Sequence, residues 1–360
     1  MTPSLRRPSA AVRYRSARPV PGPVVPPPSM SVVSRTHDQS SNIVARLRRS
    51  VWSPTPADMH RWAFAAIVVN TLITVTGAAV RLTGSGLGCP TWPKCTPDSF
   101  VPAPHDEHAP LNMAIEFGNR LITFLVLAVA VACFVAALRL RPRRDSLVRI
   151  AALQPLGVIA QAVWGGVVVL AVLHPVTVGV HFLLSIGMIA ASYALYARSG
   201  EGDAPVHLLV HRHIRTLGFV LLAAVFVLVV LGVVVTGTGP HSGDKLATRF
   251  QFDIETVTRL HADAVWVVLG LTFALLFAAH LTGAPAVVRR ALLTLLGIEL
   301  AQAVIGAVQY WLAVPAVLVG LHVFGAALTW IATLRVVFVM RDRDSLGTVP
   351  NAERLRAAPI

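Results

Sequence analysis

The sequence predicts an all-α membrane protein, with eight transmembrane helices arranged as two repeated four-helix bundles and both termini in the cytoplasm. Three observations carry this expectation. Hydrophobic residues make up 55% of the 360 positions and charged residues only 13%, and the mean hydropathy is +0.66; a water-soluble domain of this length cannot bury so much apolar surface. Eight apolar runs are long enough to cross a bilayer as helices, which takes about 20 residues each. Finally, polar residues of the first half recur in order in the second.

Residues 1–58 are rich in Pro, Ser and Arg and read as a disordered cytoplasmic tail. They lack the compact pattern of a cleaved signal peptide, so the first apolar helix is expected to act as the insertion signal. The spans are expected at 62–80, 115–138, 150–172, 177–197, 216–236, 256–280, 291–312 and 316–339, followed by a short cytoplasmic tail at 341–360. Their connections alternate in charge. Arg46, Arg48, Arg49 and Arg61 precede the first span, and Arg139, Arg141, Arg143 and Arg144 follow the second. Arg198, Arg212 and Arg215 follow the fourth, Arg289 and Arg290 the sixth, and Arg341 and Arg343 the eighth. By the positive-inside rule these connections are cytoplasmic, and the protein is a multi-pass component of the cell membrane. The same distribution accounts for the net charge of +14. Without a basic stripe interleaved with aromatics, it points away from nucleic acid.

The duplication is visible residue by residue. Gln161, Gly165 and His181 recur as Gln302, Gly306 and His322, 141 positions on, and Ile115-Glu116…Arg120-Leu121 recurs as Ile254-Glu255…Arg259-Leu260. Thr76-Gly77 is echoed by Thr236-Gly237. The expected domains are an N-terminal bundle at 59–200 and a C-terminal bundle at 201–340, related by an axis along the membrane normal. The halves differ most in their first outer loop. The first half carries an extra stretch there, and the loop at 81–114 holds Arg81-Leu-Thr-Gly-Ser-Gly-Leu-Gly-Cys-Pro-Thr-Trp-Pro-Lys-Cys95. Cys89 and Cys95 lack the two further close ligands of a zinc site. In an oxidising compartment, a structural disulfide and a redox-active pair both fit. Cys133, inside a span, is expected to pack as a small apolar residue.

Histidine inside a bilayer is costly without a partner. His181, His261 and His322 all lie toward the outer ends of spans four, six and eight. Two histidines on facing helices at similar depth form a bis-imidazole site for haem iron, and His261 and His322 meet that demand. The plainer alternative is a hydrogen bond from each to a neighbouring helix. Glu116, four positions before Arg120, is either half of an ion pair at the membrane boundary or an inward carboxylate that accepts protons. Arg81, Arg120 and Arg259 are placed to hold haem carboxylates at the outer surface, or to anchor the boundary. Gln161 and Gln302 are expected to bridge helices. His105 and His108, in the outer loop, have only weak metal-site logic.

Eight spans in two halves, paired outer histidines, Glu-x-x-x-Arg opening span two, and G-x-G-x-x-C-P-x-W-P-x-C in the outer loop resemble the haem A synthase family over about residues 60–340. The resemblance implies an oxidoreductase that converts haem O to haem A for cytochrome c oxidase, oxidising a methyl group to a formyl group with water as oxygen source. It implies haem b on His261 and His322 in the second bundle, and substrate haem O in the first with His181 as ligand. Glu116 becomes the catalytic carboxylate, and Cys89 and Cys95 match an extracytoplasmic cysteine pair. The chain departs from the family's Glu-x-x-His-Arg pattern: Glu116-Phe-Gly-Asn119-Arg120 has asparagine at the histidine position. That leaves His181 as the one expected ligand there, with Asn119 hydrogen-bonding substrate or water. Haem O synthase, oxidase assembly factors and a second copy of the chain are the partners that fit this expectation. The competing functions are a non-catalytic b-type cytochrome, which usually stacks haems near both faces, and a transporter, which usually shows broken helices at mid-membrane.

Overall fold

The computed structural model describes residues 52–103 and 109–343. His105 and His108 and most of both expected tails lie outside the described residues. Eight helices account for nearly all of the rest: α1 (Pro56–Leu82), α2 (Pro110–Arg139), α3 (Asp145–Leu170), α4 (Pro175–Gly200), α5 (Arg212–Thr238), α6 (Ile254–Leu281), α7 (Ala286–Trp311) and α8 (Ala316–Phe338). Each is long and apolar enough to cross a membrane, and the chain is an all-helical multi-pass membrane protein. The helices extend a few residues beyond most of the predicted spans, because polar caps and prolines start them outside the apolar run. Thr55 and Asp58 form a reciprocal capping box at α1, and prolines open α1, α2 and α4, where a missing N–H costs nothing. The Asp253 side chain accepts from the backbone N–H of Thr256 at the start of α6.

The turns after α3 and α7 are the same. Val172 and Leu173 have φ of 51° and 54°, and Ala313 and Val314 have φ of 56° and 54°. In each turn the last of these residues donates its N–H back into the preceding helix, Leu173 to Val168 and Val314 to Gln309. Residues other than glycine rarely take the left-handed region, β-branched ones such as Val172 and Val314 least of all. Two such pairs 141 positions apart are therefore a shared feature of the two halves.

Helix contacts fall into two groups. α1 packs on α2 and α4, and α3 packs on α2 and α4; α6 packs on α5 and α7, and α8 packs on α7 and α5. The groups meet where α8 touches α1 and α4 and where α4 touches α5. At that seam the Trp330 indole N–H donates to the carbonyl of Ile186 at 3.0 Å. Much of the outer face of every helix stays apolar and exposed, as a lipid-facing surface requires.

A short strand pair departs from the purely helical expectation. His207–Leu208 (β1) pairs antiparallel with Arg341–Asp342 (β2), tying the connection after α4 to the segment after α8. Charges brace the same place. Buried Arg144 donates to Asp203 and to the carbonyl of Glu201, Arg198 pairs with Asp203, and Glu201 pairs with Arg341. Partial burial works to raise the Asp203 carboxyl, but hydrogen bonds and charge from Arg198 and Arg144 hold it below its usual range.

Candidate functional site

At the opposite end, the long α1–α2 loop folds down on the start of α2. Cys89 and Cys95 form a disulfide with both residues fully buried. Gly88 lies directly on the α2 backbone: a Cβ there would sit 2.7 Å from the carbonyl oxygen of Asn112. Asn112 in turn donates to the carbonyl of Gly84 at 2.9 Å.

Beneath this loop is Glu116, 5% exposed. One carboxylate oxygen accepts the backbone N–H of Cys89 at 2.7 Å, and the other pairs with Arg120 at 2.7 Å. The Arg120 guanidinium also donates to the carbonyls of Cys89, Thr91 and Lys94. The i,i+4 ion pair is therefore real, and it doubles as the floor to which the disulfide loop is fastened. Charge-assisted bonds of this kind are about twice as strong as neutral ones. Asn119 accepts from the Thr76 hydroxyl at 2.8 Å, joining α2 to α1.

The three intramembrane histidines share a depth and a setting. His181, His261 and His322 each lie six or seven residues into their helices, about 10 Å from that end. Each ring rests against a glycine of a neighbouring helix: His181 on Gly165, His261 on Gly232 and His322 on Gly306. A Cβ at Gly232 would crowd the His261 ring at 3.2 Å, and one at Gly165 or Gly306 would just touch the imidazole. In all three rings Nδ1 is buried and has no hydrogen-bond partner in the protein. A buried polar atom left so in hydrocarbon requires a further group to satisfy it.

His261 and His322 face one another, with ring centres 6.3 Å apart and planes at 73°. Two imidazoles bound end-on to one metal, each nitrogen about 2 Å from it, have ring centres about 6 Å apart. No cluster of three or more His, Cys, Asp or Glu suited to a metal exists among the described residues. A pair alone suits a metal that brings its own equatorial ligands, as haem iron does.

The predicted arginines differ in what they do. Arg81 donates to the carbonyls of Thr236 and His241, tying the end of α1 to the end of α5. Arg120 is taken up by Glu116 and the loop. Arg259 makes an exposed ion pair with Glu255 at 3.3 Å. Of the three, only Arg259 points its charge into open surroundings. Gln161 bridges helices as expected, donating to the Ser185 hydroxyl at 2.7 Å. Cys133 is buried, and its thiol donates to the carbonyl of Trp62.

Two further side chains belong to this account: Trp92, which the loop motif marks but whose contact it does not convey, and Glu299, which the sequence pattern leaves unmarked. Trp92 of the disulfide loop lies across Gly166 of α3, one position from the glycine under His181. Nothing in sequence spacing announces that contact. Glu299, midway along α7, is 5% exposed and accepts from the Thr272 hydroxyl at 3.0 Å. Its signal is a lone acid inside an apolar run, which averaging over the run conceals.

The model of the COX15-CtaA family, described as cytochrome oxidase assembly protein, matches residues 60–334. The chain belongs to that family. Over 92 residues it is also 34% identical to the protoheme IX farnesyltransferase of Thermus thermophilus, a stretch covering 25% of this chain and 14% of that protein. The figures are the same for the enzyme of that name from a second strain of the same organism. The chain thus spans a small part of the length of these relatives.

Proposed function

We propose that this member of the cytochrome oxidase assembly family is a haem A synthase, oxidising one methyl group of haem O to a formyl group with oxygen from water, the four electrons leaving to a one-electron acceptor outside the chain. One observation carries it: in a chain of this family, two intramembrane imidazoles, His261 and His322, face each other at the spacing of end-on ligands to a single metal. Their orphaned nitrogens and the glycines beside them fit a flat, metal-bearing ligand. The Thermus relatives, named for protoheme IX, support a haem-type substrate.

In this proposal His261 and His322 hold haem b, and His181 holds the substrate haem in the α1–α4 group. Haem b, when bound, supplies one-electron chemistry. The protein's own contribution to the reaction is at Glu116. Its carboxylate takes up protons released as the methyl group is oxidised. The Cys89 N–H and Arg120 fix where that carboxylate sits, and the loop above it limits access of bulk water. Arg259 is the arginine placed to meet a haem carboxylate. The domain division falls near residue 200, giving two repeated bundles; the matching left-handed turns support the repeat. The arginine clasp lies on the cytoplasmic side with both termini, and the disulfide loop outside.

The test is pigment analysis of protein made with a supply of haem O. Haem A is the expected product, and Glu116→Ala should abolish it while haem b stays bound. Haem A at the wild-type level in that variant overturns the role of Glu116; no haem A from the unaltered protein overturns the enzyme.

A further inference from the structure

The inward face of α7 changes character at its midpoint. Toward the arginine clasp it presents Val288, Leu292 and Leu295, all fully buried. Toward the disulfide end it presents Glu299, Gln302, Gly306 and Gln309. Their spacing of three, four and three residues keeps them on one face of a helix. Glu299 Oε2, Gln302 Oε1 and Gln309 Oε1 are each buried without a hydrogen-bond partner. One such atom in hydrocarbon costs several kcal/mol. Three such acceptors along one helix face call for polar partners that the protein itself does not supply.

The other half of the molecule shows what an ordinary version of this helix looks like. At the corresponding positions α3 has Val158, Gln161, Gly165 and Val168. Its glutamine donates to Ser185, while its carbonyl oxygen, like that of Gln302, is buried without a partner in the protein. In the second half Ala326 stands at the position of Ser185, and Gln302 lies against Gly325 instead. The glutamate and the second glutamine are additions with no counterpart.

We propose that α7 carries a chain of internal waters, linking Glu299 to the disulfide face past Gln302 and Gln309, along which protons reach and leave the Glu299 carboxyl. Glu299 lies twelve residues before the helix end at Trp311, about 18 Å deep. Thr272 holds one carboxyl oxygen, and the other faces the waters. No charged side chain pairs with it among the described residues. The buried leucines beyond it close the path toward the clasp, so the chain of waters has one mouth. The inference is independent of the chemistry assigned to Glu116.

The experiment is infrared spectroscopy of the full-length purified protein with its bound pigment, transferred into D2O. The carboxyl stretch of Glu299 is the band removed by Glu299→Gln; if that variant fails to fold, Thr272→Val identifies it as the band shifted by loss of its hydrogen bond. That band should shift promptly in D2O. Gln309→Leu should slow the shift about tenfold, the rate equivalent of one lost hydrogen bond, with the pigment's absorption spectrum unchanged. A band that does not exchange, or exchange in Gln309→Leu at the wild-type rate, overturns the proposal. So does an altered pigment spectrum with unaltered exchange, which would assign Gln309 to the bound group.

Discussion

The two groups of helices are built alike where they turn and differ where they are polar. α3–α4 and α7–α8 share a left-handed turn and a histidine resting on a glycine of the preceding helix. Yet the first group places its carboxylate at the membrane edge, fastened by Arg120 and a loop backbone. The second places its carboxylate at mid-membrane, with one oxygen unpartnered. The second has two facing imidazoles; the first has His181, and Asn119 accepts from the Thr76 hydroxyl. The matching turns and glycines thus fix where two of the rings sit. A handful of polar substitutions then decides what each half does with them.

The largest effect that would break this contrast is loss of bound pigment. His322→Ala should remove the haem b absorbance of the second group while substrate haem added to the first still binds; His181→Ala should do the reverse. If either variant alone empties both groups, the halves are not separate sites, and difference spectra of the two purified variants decide the matter.

A smaller effect concerns the loop that only the first group carries. In Cys89→Ser, Cys95→Ser the loop loses its covalent closure, and the Cys89 N–H its fixed approach to Glu116. Loss of that one charge-assisted hydrogen bond should lower haem A production about tenfold to a hundredfold, with folding retained. Full activity would exclude any part for the disulfide in the reaction.

The smallest effect lies in the clasp, where Arg144 and Arg198 brace the connection after α4. Asp203 is held below its usual range by Arg198 and Arg144, so its contribution is complete above the ordinary aspartate value. It fades as pH falls through the lower folded value. Asp203→Asn should therefore be less stable than wild type near neutrality, with the gap closing in acid. Because the side chain is 57% exposed, solvent screening keeps the gap below about 1 kcal/mol. Thermal unfolding at several pH values measures it; a gap that widens in acid reverses the sign and removes the assignment.

The helices are legible in the sequence because each apolar run is interrupted only where the chain turns, and prolines mark several starts. The histidines and Glu116 stand out because polar groups in hydrocarbon are rare. What spacing does not convey is long-range pairing. The donors of Arg81 meet carbonyls near position 240, and β1 finds β2 across most of the second half. Arg120 is recognisable from its spacing as a partner of Glu116, but its grip on three loop carbonyls depends on a loop path that no periodicity encodes. Glu299 is hidden for another reason: one acid is diluted when a whole 26-residue helix is averaged.

The bond from position 89 to Glu116 is made by the main chain. Every residue except proline supplies the same N–H there, so a scan replacing the loop's side chains with alanine, the two disulfide cysteines apart, would pass over it. The constraint acts on the path of the chain. Insertions, deletions and proline within 86–95 would expose it, and the loop should accept changes of composition far more readily than changes of length.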